Sequence, residues 1–335
     1  MPGYSVAIRT LGTSPVLRLE LESIFSQTVL PDKVVIYIAK GYDRPSFRVG
    51  NEIYVEVEKG MMRQRVLPYS EIESQYLLML DDDVTLEPDS AAKMLDVLTR
   101  NSLDCVVADT FHIQSDPLPS RIYSALTNFT LPHFSEDKAI KVNCGSTFSY
   151  LHRIEKPWYP AESGAGPASL WRLSSFHEMH YEDELWIDRL GFAYGDDQIL
   201  FNKLVKNKKR LGMMFASGCE HRDSKTSSGL YKRDPDRLRK RSMARYLVWR
   251  RTCLDAYPHS RKMRIKCRVA FGFQFLWMMP AHLAAGFRQG GLGPLCQMVK
   301  GLLDGISFAG KEEFKSLPCY IAEPRDTLSL KPKDV

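Results

Sequence analysis

The apolar run Tyr76-Leu77-Leu78-Met79-Leu80 does not alternate, so a strand built from it has both faces covered, and it ends abruptly in Asp81, Asp82 and Asp83. Such a strand belongs inside an α/β sheet with helices layered on each side. Three adjacent carboxylates repel one another, and a bound divalent cation relieves this most simply. Hard ions such as Mg²⁺ or Mn²⁺ prefer carboxylate and phosphate oxygens. A cation held by one or two carboxylates plus substrate phosphates suits this cluster better than an all-protein cage. The aspartates therefore point to phosphate chemistry, against the alternative of a solvated acidic turn.

The residues before the triplet supply the rest of such a sheet. Tyr4 to Thr10 alternates and gives way to Leu11-Gly12-Thr13, a strand followed by a turn. Ser14 is a good N-cap, Pro15 suits a first helical position, and Leu17, Leu21, Ile24 and Phe25 form one apolar stripe. Val34 to Ile38 reads as a second buried strand, completing a unit whose connection is right-handed. A strand is expected at Ile53 to Val57 and a helix through roughly Met62 to Glu73. Pro88 opens a helix carrying Ala91, Met94, Leu95 and Leu98, and Cys105 to Ala108 forms another strand. Ligands gather at the carboxyl ends of parallel strands, so Arg9-Thr10, Ala39-Lys40 and Asp81 to Asp83 are expected to line one crevice. From 111 to 200 the pattern loosens around Gly164-Ala165-Gly166-Pro167, and antiparallel strands and loops are expected there.

At 335 residues and 44% hydrophobic, the chain can bury a sizeable core, which excludes a disordered protein. Seven scattered cysteines with no Cys-x-x-Cys pair argue against a zinc cage and a disulfide framework, and fit a reducing compartment. With no basic segment and apolar run after Met1, a cytoplasmic location is expected. The net charge of +6 is uneven: Lys203 to Arg268 holds 21 Lys plus Arg against 5 Asp plus Glu. That block suits nucleic acid, anionic lipid or phosphorylated ligands, or else a set of solvated helix faces. Val269 to Phe287 follows without a formal charge, interrupted by Pro280. It is a poor spanning segment, and reads as an interfacial or re-entrant element, or as a buried helix pair. The basic residues at its front edge favour the interfacial reading, peripheral at the inner face of the membrane.

Several segments together resemble the nucleotide-sugar-dependent glycosyltransferases of the GT-A fold, in particular the large inverting family 2. Val6 to Thr10 followed by Leu19-Glu20-Leu21-Glu22-Ser23-Ile24-Phe25-Ser26-Gln27-Thr28 is similar to that family's first strand and helix. Lys59-Gly60-Met61-Met62-Arg63-Gln64 is similar to its glycine and arginine-asparagine segment, with Gln64 replacing asparagine. Leu80-Asp81-Asp82-Asp83 stands as its Asp-x-Asp motif, and Gly164 to Leu170 resembles the loop lining the donor and acceptor sites. Gly195-Asp196-Asp197-Gln198 resembles its glycine-glutamate-aspartate motif, with Asp196 in place of glutamate.

The resemblance implies a Rossmann-like nucleotide-diphospho-sugar transferase domain over 1–230, with a nucleotide-binding half at 1–110 and an acceptor-binding half at 111–230. A basic and apolar helical extension occupies 231–335. It implies that Asp81 faces the donor ribose, that Asp83 and His221 hold Mn²⁺ or Mg²⁺, and that Arg9, Thr10, Lys40, Arg63 and Gly166 contact the donor. Asp197 is then the general base, with Asp196 its rival; the alternative is that Asp196 caps the helix starting near Gln198. Arg222 and Lys225 are candidates for the diphosphate, and Ser224 to Gly229 for a closing loop. The implied reaction moves a sugar from a UDP-, GDP- or dTDP-linked donor to a hydroxyl of a glycan or lipid-linked acceptor, in polysaccharide or glycoconjugate synthesis.

Two other classes fit the residues less well. A nucleotidyltransferase of related fold usually has a glycine-rich loop with a basic residue after its first strand, which Leu11-Gly12-Thr13-Ser14-Pro15 does not resemble. A non-enzymatic membrane or nucleic-acid binding protein leaves the aspartates unexplained, and the aromatics of the basic region form no nucleic-acid motif, so no nucleic acid is expected.

Overall fold

The computed structural model describes residues 2–110, 117–135, 137–191, 194–222, 236–288 and 291–321. The unalternating apolar runs become inner strands. β1 (Tyr4–Thr10) lies between β2 (Val34–Ala39) and β4 (Tyr76–Asp81), parallel to both, and β3 (Ile53–Val57) forms one edge beyond β2. Every residue of β2 is buried, as both covered faces require. After β5 (Val84–Leu86) the sheet continues through β6 (Cys105–Ala108), separated from β4 by a later strand that runs antiparallel to both.

α1 (Leu17–Phe25) and α2 (Ser90–Arg100) cover one face. Val6 and Ile8 of β1 meet Leu17, Leu21 and Ile24 there, all fully buried, each contributing about 1.5–3 kcal/mol. Ala7 points to the opposite face, as the two-residue period of a strand demands.

Between 111 and 200 the strands pair antiparallel as expected except β7 (Leu131–His133), which runs parallel to β9 (Phe148–Leu151). These two form a small sheet with β8 (Ile140–Val142), and β10 (Trp158–Pro160) takes the far edge of the main one. β11 (Ala168–Arg172) is the antiparallel strand between β4 and β6. Three helical features in this stretch were not anticipated, one of them a 3₁₀ segment at Tyr181–Leu190. α3 (Leu118–Asn128) has no buried residue, so its amphipathic signal does not mark a core, and α4 (Leu173–His177) follows β11 directly.

The helix expected from Met62 to Glu73 does not form. The Met62 and Arg63 N–H groups donate to the Asp188 carboxylate at 2.7 and 2.9 Å. Pro68 cannot donate, and Tyr69 has φ 50°, so the segment is a series of turns. Ser14 likewise does not cap α1. Its hydroxyl donates to the Asp82 carbonyl at 2.6 Å, and the helix begins at Leu17.

The second face is covered by a 3₁₀ segment at Tyr181–Leu190, α5 (Asp196–Lys206) and α6 (Arg237–Trp249), with β12 (Leu211–Met214) pairing to β6 and β10. β13 (Cys219–His221) pairs with β5. A π-turn at Arg250–Leu254 leads to α7 (Arg261–Arg288), which carries Pro280 within it, and to α8 (Gly293–Ala309). Among the described residues no helix is long and apolar enough to cross a membrane. α7 buries Phe271, Gln274 and Met278 and exposes Val269, Phe273, Leu276 and Trp277, so it is neither wholly core nor wholly interfacial. The boundary drawn at 230 lies outside the described residues, as do Lys225 and the Ser224 to Gly229 loop.

Glu20 on α1 is fully buried, with the Val84 backbone N–H beside its carboxyl group. Burial, reinforced by the charges of Asp82, Asp83 and Asp81, raises its pKa well above 4.5. The folded state therefore keeps a proton that the unfolded chain releases, and stability falls as pH rises above 4.5. Glu20→Leu is expected to stabilise the protein by about 1–3 kcal/mol at neutral pH and to flatten that slope, as read by urea unfolding between pH 4 and 8. An unchanged slope would place the titration elsewhere.

Candidate active site

The register of the central strands sets Arg9 beside Asp81. The Arg9 guanidinium donates from Nε at 2.7 Å and pairs from Nη2 at 2.5 Å with Asp81 Oδ1. Asp81 N–H donates to the Pro167 carbonyl at 2.9 Å, so the antiparallel β11 brings the Gly164–Pro167 loop against the tip of β4. Thr10 Oγ1 donates to Asp82 Oδ2 at 2.5 Å and accepts from the Gly12 N–H at 2.8 Å. Asp82 thus ties the β4 turn to the end of β1, and Thr10 is spent on that tie. Burial pushes Asp82 up to about 6, against the Thr10 bond and with the help of its two acidic neighbours.

Asp83 is buried, and its Oδ1 lies 3.2 Å from His221 Nε2. The pairing of β13 with β5, which sets His221 opposite Val84, produces this approach across 138 positions of chain. Among the described residues no group of three or more His, Cys, Asp or Glu side chains is arranged to hold a metal. Asp83 and His221 are a carboxylate and an imidazole that would hold a divalent cation only together with further oxygen ligands from a bound molecule.

The second acidic pair arrives on α5. Gly195, at φ 87°, precedes that helix, and a Cβ there would meet Val248 Cγ2 at 2.6 Å, so the approach of α6 requires glycine. Gly195 is also the N-cap, so Asp196 is not. Asp196 and Asp197 occupy the first turn, where the helix dipole favours carboxylates. Arg65 joins the two acidic groups. It is buried, with Nε 3.2 Å from Asp196, Nη2 3.7 Å from Asp81, and Nη1 against Asp197. Arg9 Nη1 also reaches Asp196 at 4.0 Å. The Gly166 N–H donates to Asp197 Oδ2 at 3.0 Å, and a Cβ on Gly166 would collide with that carboxylate and with the Arg65 guanidinium. Burial, with Asp81 adding to it and Arg9 opposing, pushes Asp196 up to about 6.

Arg9, Asp81, Asp196, Asp197 and Gly166 are therefore brought together, with Asp83 on the turn between β4 and β5 and His221 set against it from β13. Lys40 and Arg63 are not brought in by any contact of theirs: Lys40 is exposed and paired with Glu58 at 2.5 Å, and the Arg63 side chain is exposed. Arg222 binds Glu220 at 2.8 Å and Thr85 at 3.1 Å. Arg65 was missed. It lies two positions beyond Arg63, and no local signal distinguishes the two. Gln64, the replacement in the arginine-asparagine segment, is buried and donates to the Thr10 carbonyl at 3.3 Å.

Residues 38–157 match the family model described as Glycosyl transferase family 2. The match contains Asp81 to Asp83 and ends before Asp196, Asp197 and His221. No curated protein matches the chain. Among solved structures, it is similar to the mannosyltransferase PcManGT from Pyrobaculum calidifontis, solved in complex with GDP-Man and Mn²⁺. The identity is 14% and the TM-score 0.49, over 94% of this chain and 82% of that one. It is also similar to GalNAc-T7, solved with UDP, GalNAc and Mn²⁺, at 12% identity and TM-score 0.45, over 66% of this chain and 43% of that one. The mixed α/β fold is built on one large sheet, and the segment of it that bears the aspartates is similar to glycosyl transferase family 2.

Proposed function

We propose that the protein moves a sugar, with inversion, from a nucleoside diphosphate donor to a hydroxyl of a glycan or lipid-linked acceptor, with Mn²⁺ or Mg²⁺ as cofactor. One observation carries this reading: two carboxylate pairs more than a hundred positions apart, Asp81/Asp83 and Asp196/Asp197, sit at one end of the sheet, and Arg9 and Arg65 span between them. Donor chemistry needs positive charge near the diphosphate and acceptor chemistry needs an ionised carboxylate facing the hydroxyl. The site offers both.

In this reading Asp81, fixed by Arg9, faces the ribose, while Asp83 and His221 hold the cation. When bound, the cation stabilises charge developing on the leaving diphosphate. Asp197, the more exposed of its pair, takes the proton from the attacking hydroxyl. Asp196 holds Arg65 and Arg9, and the Gly166 N–H fixes the Asp197 carboxylate. Residues up to about 110 form the donor half and those beyond it the acceptor half. The exposed apolar faces of α3 and α7, beside Arg261, Lys262, Lys266 and Arg268, favour work at an anionic membrane surface.

The test is a hydrolysis screen of UDP-, GDP- and dTDP-sugars with and without Mn²⁺. At least one donor is expected to turn over only with the metal, and Asp83→Ala to lower that rate by tenfold or more, about 1.4 kcal/mol or greater. Metal-dependent turnover that survives the substitution would remove Asp83 from the site, and binding of no nucleotide sugar would remove the donor reading altogether.

A further inference from the structure

α3, α6, α7 and α8 enclose a cavity of about 300 Å³, lined by Tyr123, Phe271, Phe275, Met278 and Met298 among others. Into this largely apolar space come two arginines one helical turn apart on α6, Arg241 and Arg245, together with His282 of α7. Neither arginine is paired with a carboxylate among the described residues. Arg241 donates to Asn128 Oδ1 at 2.7 Å and lies 5.8 Å from the Tyr194 ring centroid. Arg245 donates to Met278 Sδ at 2.7 Å and the Asn128 carbonyl at 3.4 Å. Burial, with Arg241 nearby, lowers the Arg245 pKa, and burial with both arginines lowers that of His282.

This contrasts with Arg251 further along the same run, which is fully buried and has its charge met by Glu184, whereas Arg241 and Arg245 are half-buried. Two neighbouring guanidinium groups in an apolar setting are costly unless an anion joins them, and the guanidinium fork matches phosphate oxygens. The apolar lining adds the second half of the specificity. Beside the cavity, α3 exposes Leu118 and Ile122, and α7 exposes Val269, Phe273 and Leu276. Trp277 Nε1 donates to the Ala125 carbonyl at 3.1 Å and joins these two helices. On the α6 side, the Tyr194 ring under Arg241 belongs to the residue two positions before Asp196, so Arg241 touches the segment that leads into the acidic pair.

We propose that this cavity binds a phosphate or diphosphate ester of a long apolar chain, with the anion between Arg241 and Arg245 and the chain leaving along the exposed faces of α3 and α7. The inference rests on the reading of a lipid-linked acceptor and names its site. An acceptor anchored there presents its hydroxyl end toward Tyr194 and the α5 N-terminus.

The test is calorimetric titration of the full-length protein, without added metal or nucleotide, using farnesyl diphosphate, farnesol and inorganic diphosphate. Farnesyl diphosphate is expected to bind at least about tenfold more tightly than either half-probe, and Arg241→Gln and Arg245→Gln are each expected to weaken it by about tenfold or more. Ala281→Trp, which fills the cavity and retains both arginines, is expected to weaken it likewise and decides the matter if an arginine variant fails to fold. Equal affinity for inorganic diphosphate, undiminished binding in all three variants, or an equal response to phosphatidylglycerol vesicles would overturn the proposal. So would displacement of the probe by UDP or GDP, which would place it in the donor crevice. No sugar transfer enters the measurement, so a failed donor screen and a failed lipid titration are separate results.

Discussion

Asp197→Asn is expected to lower donor turnover by about 10²- to 10⁴-fold with little change in nucleotide affinity, the usual weight of a positioned general base. The amide oxygen still accepts the Gly166 N–H, so the loop stays in place, while proton uptake and the charge that meets Arg65 are lost. Asp196→Asn is expected to have a smaller effect, about tenfold, because that residue holds Arg65 and Arg9 from behind. Its pKa of about 6 gives the two variants distinct pH signatures. Below pH 6 the Asp196 carboxylate gains a proton and releases Arg65, so wild-type turnover rises with pH through that value. In Asp196→Asn that limb disappears. If instead Asp196→Asn shows the larger loss, the base is Asp196 and Asp197 becomes its support. Rate measurements from pH 5 to 8 on both variants separate the two arrangements.

The largest stability effect is expected at Glu184, which is fully buried between two cations. Lys203 Nζ lies 2.9 Å from Oε1, and Arg251 donates from Nε to Oε2 at 2.9 Å and from Nη2 to Oε1 at 2.8 Å. Arg251 also donates to the Pro318 carbonyl at 2.8 Å, and the Tyr320 ring centroid lies 5.2 Å from its guanidinium carbon. Burial opposes ionisation of Glu184, but Lys203 and Arg251 outweigh it and hold its pKa at about 2. Glu184→Gln leaves two buried cations without their counter-charge, and is expected to cost about 3–5 kcal/mol in urea or thermal unfolding. The sign with pH follows: the native carboxylate sheds its proton more readily than the unfolded one, so its contribution is complete above pH 4.5 and lost as pH falls toward 2. The variant should lack that acid-side loss. Because Lys203 sits on the helix that starts at Asp196, the same triad fixes the second acidic pair to the C-terminal layer. A variant as stable as wild type would show that packing alone holds these layers together.

The inner strands were legible because their covered faces leave a continuous apolar run, and α1 and α2 because their stripes repeat at helical spacing. The aspartate triplet was legible for the same local reason, standing where an apolar run stops. The stretch from Met62 to Glu73 misled because its turns are set by Asp188, more than a hundred positions away, and helical periodicity carries no trace of that partner. Arg65 and Arg63 look alike in the sequence, yet one is buried among three carboxylates and the other is exposed. The basic stretch from Lys203 to Arg268 likewise hid several environments: Lys203 and Arg251 bind Glu184, Arg241 and Arg245 line a cavity, and Arg261 and Lys262 lie in solvent.

By itself the sequence determined the α/β layering, the sheet end at which polar residues collect, and the aspartates placed there, because each depends on patterns within one element. Only the tertiary structure decided which distant groups meet them. The antiparallel insertion of β11 delivers Gly166, the β13–β5 pairing delivers His221, and the packing of α6 on Gly195 sets Asp196 and Asp197. Those partners are chosen by strand order and helix packing, which act across the chain and leave no local pattern to read.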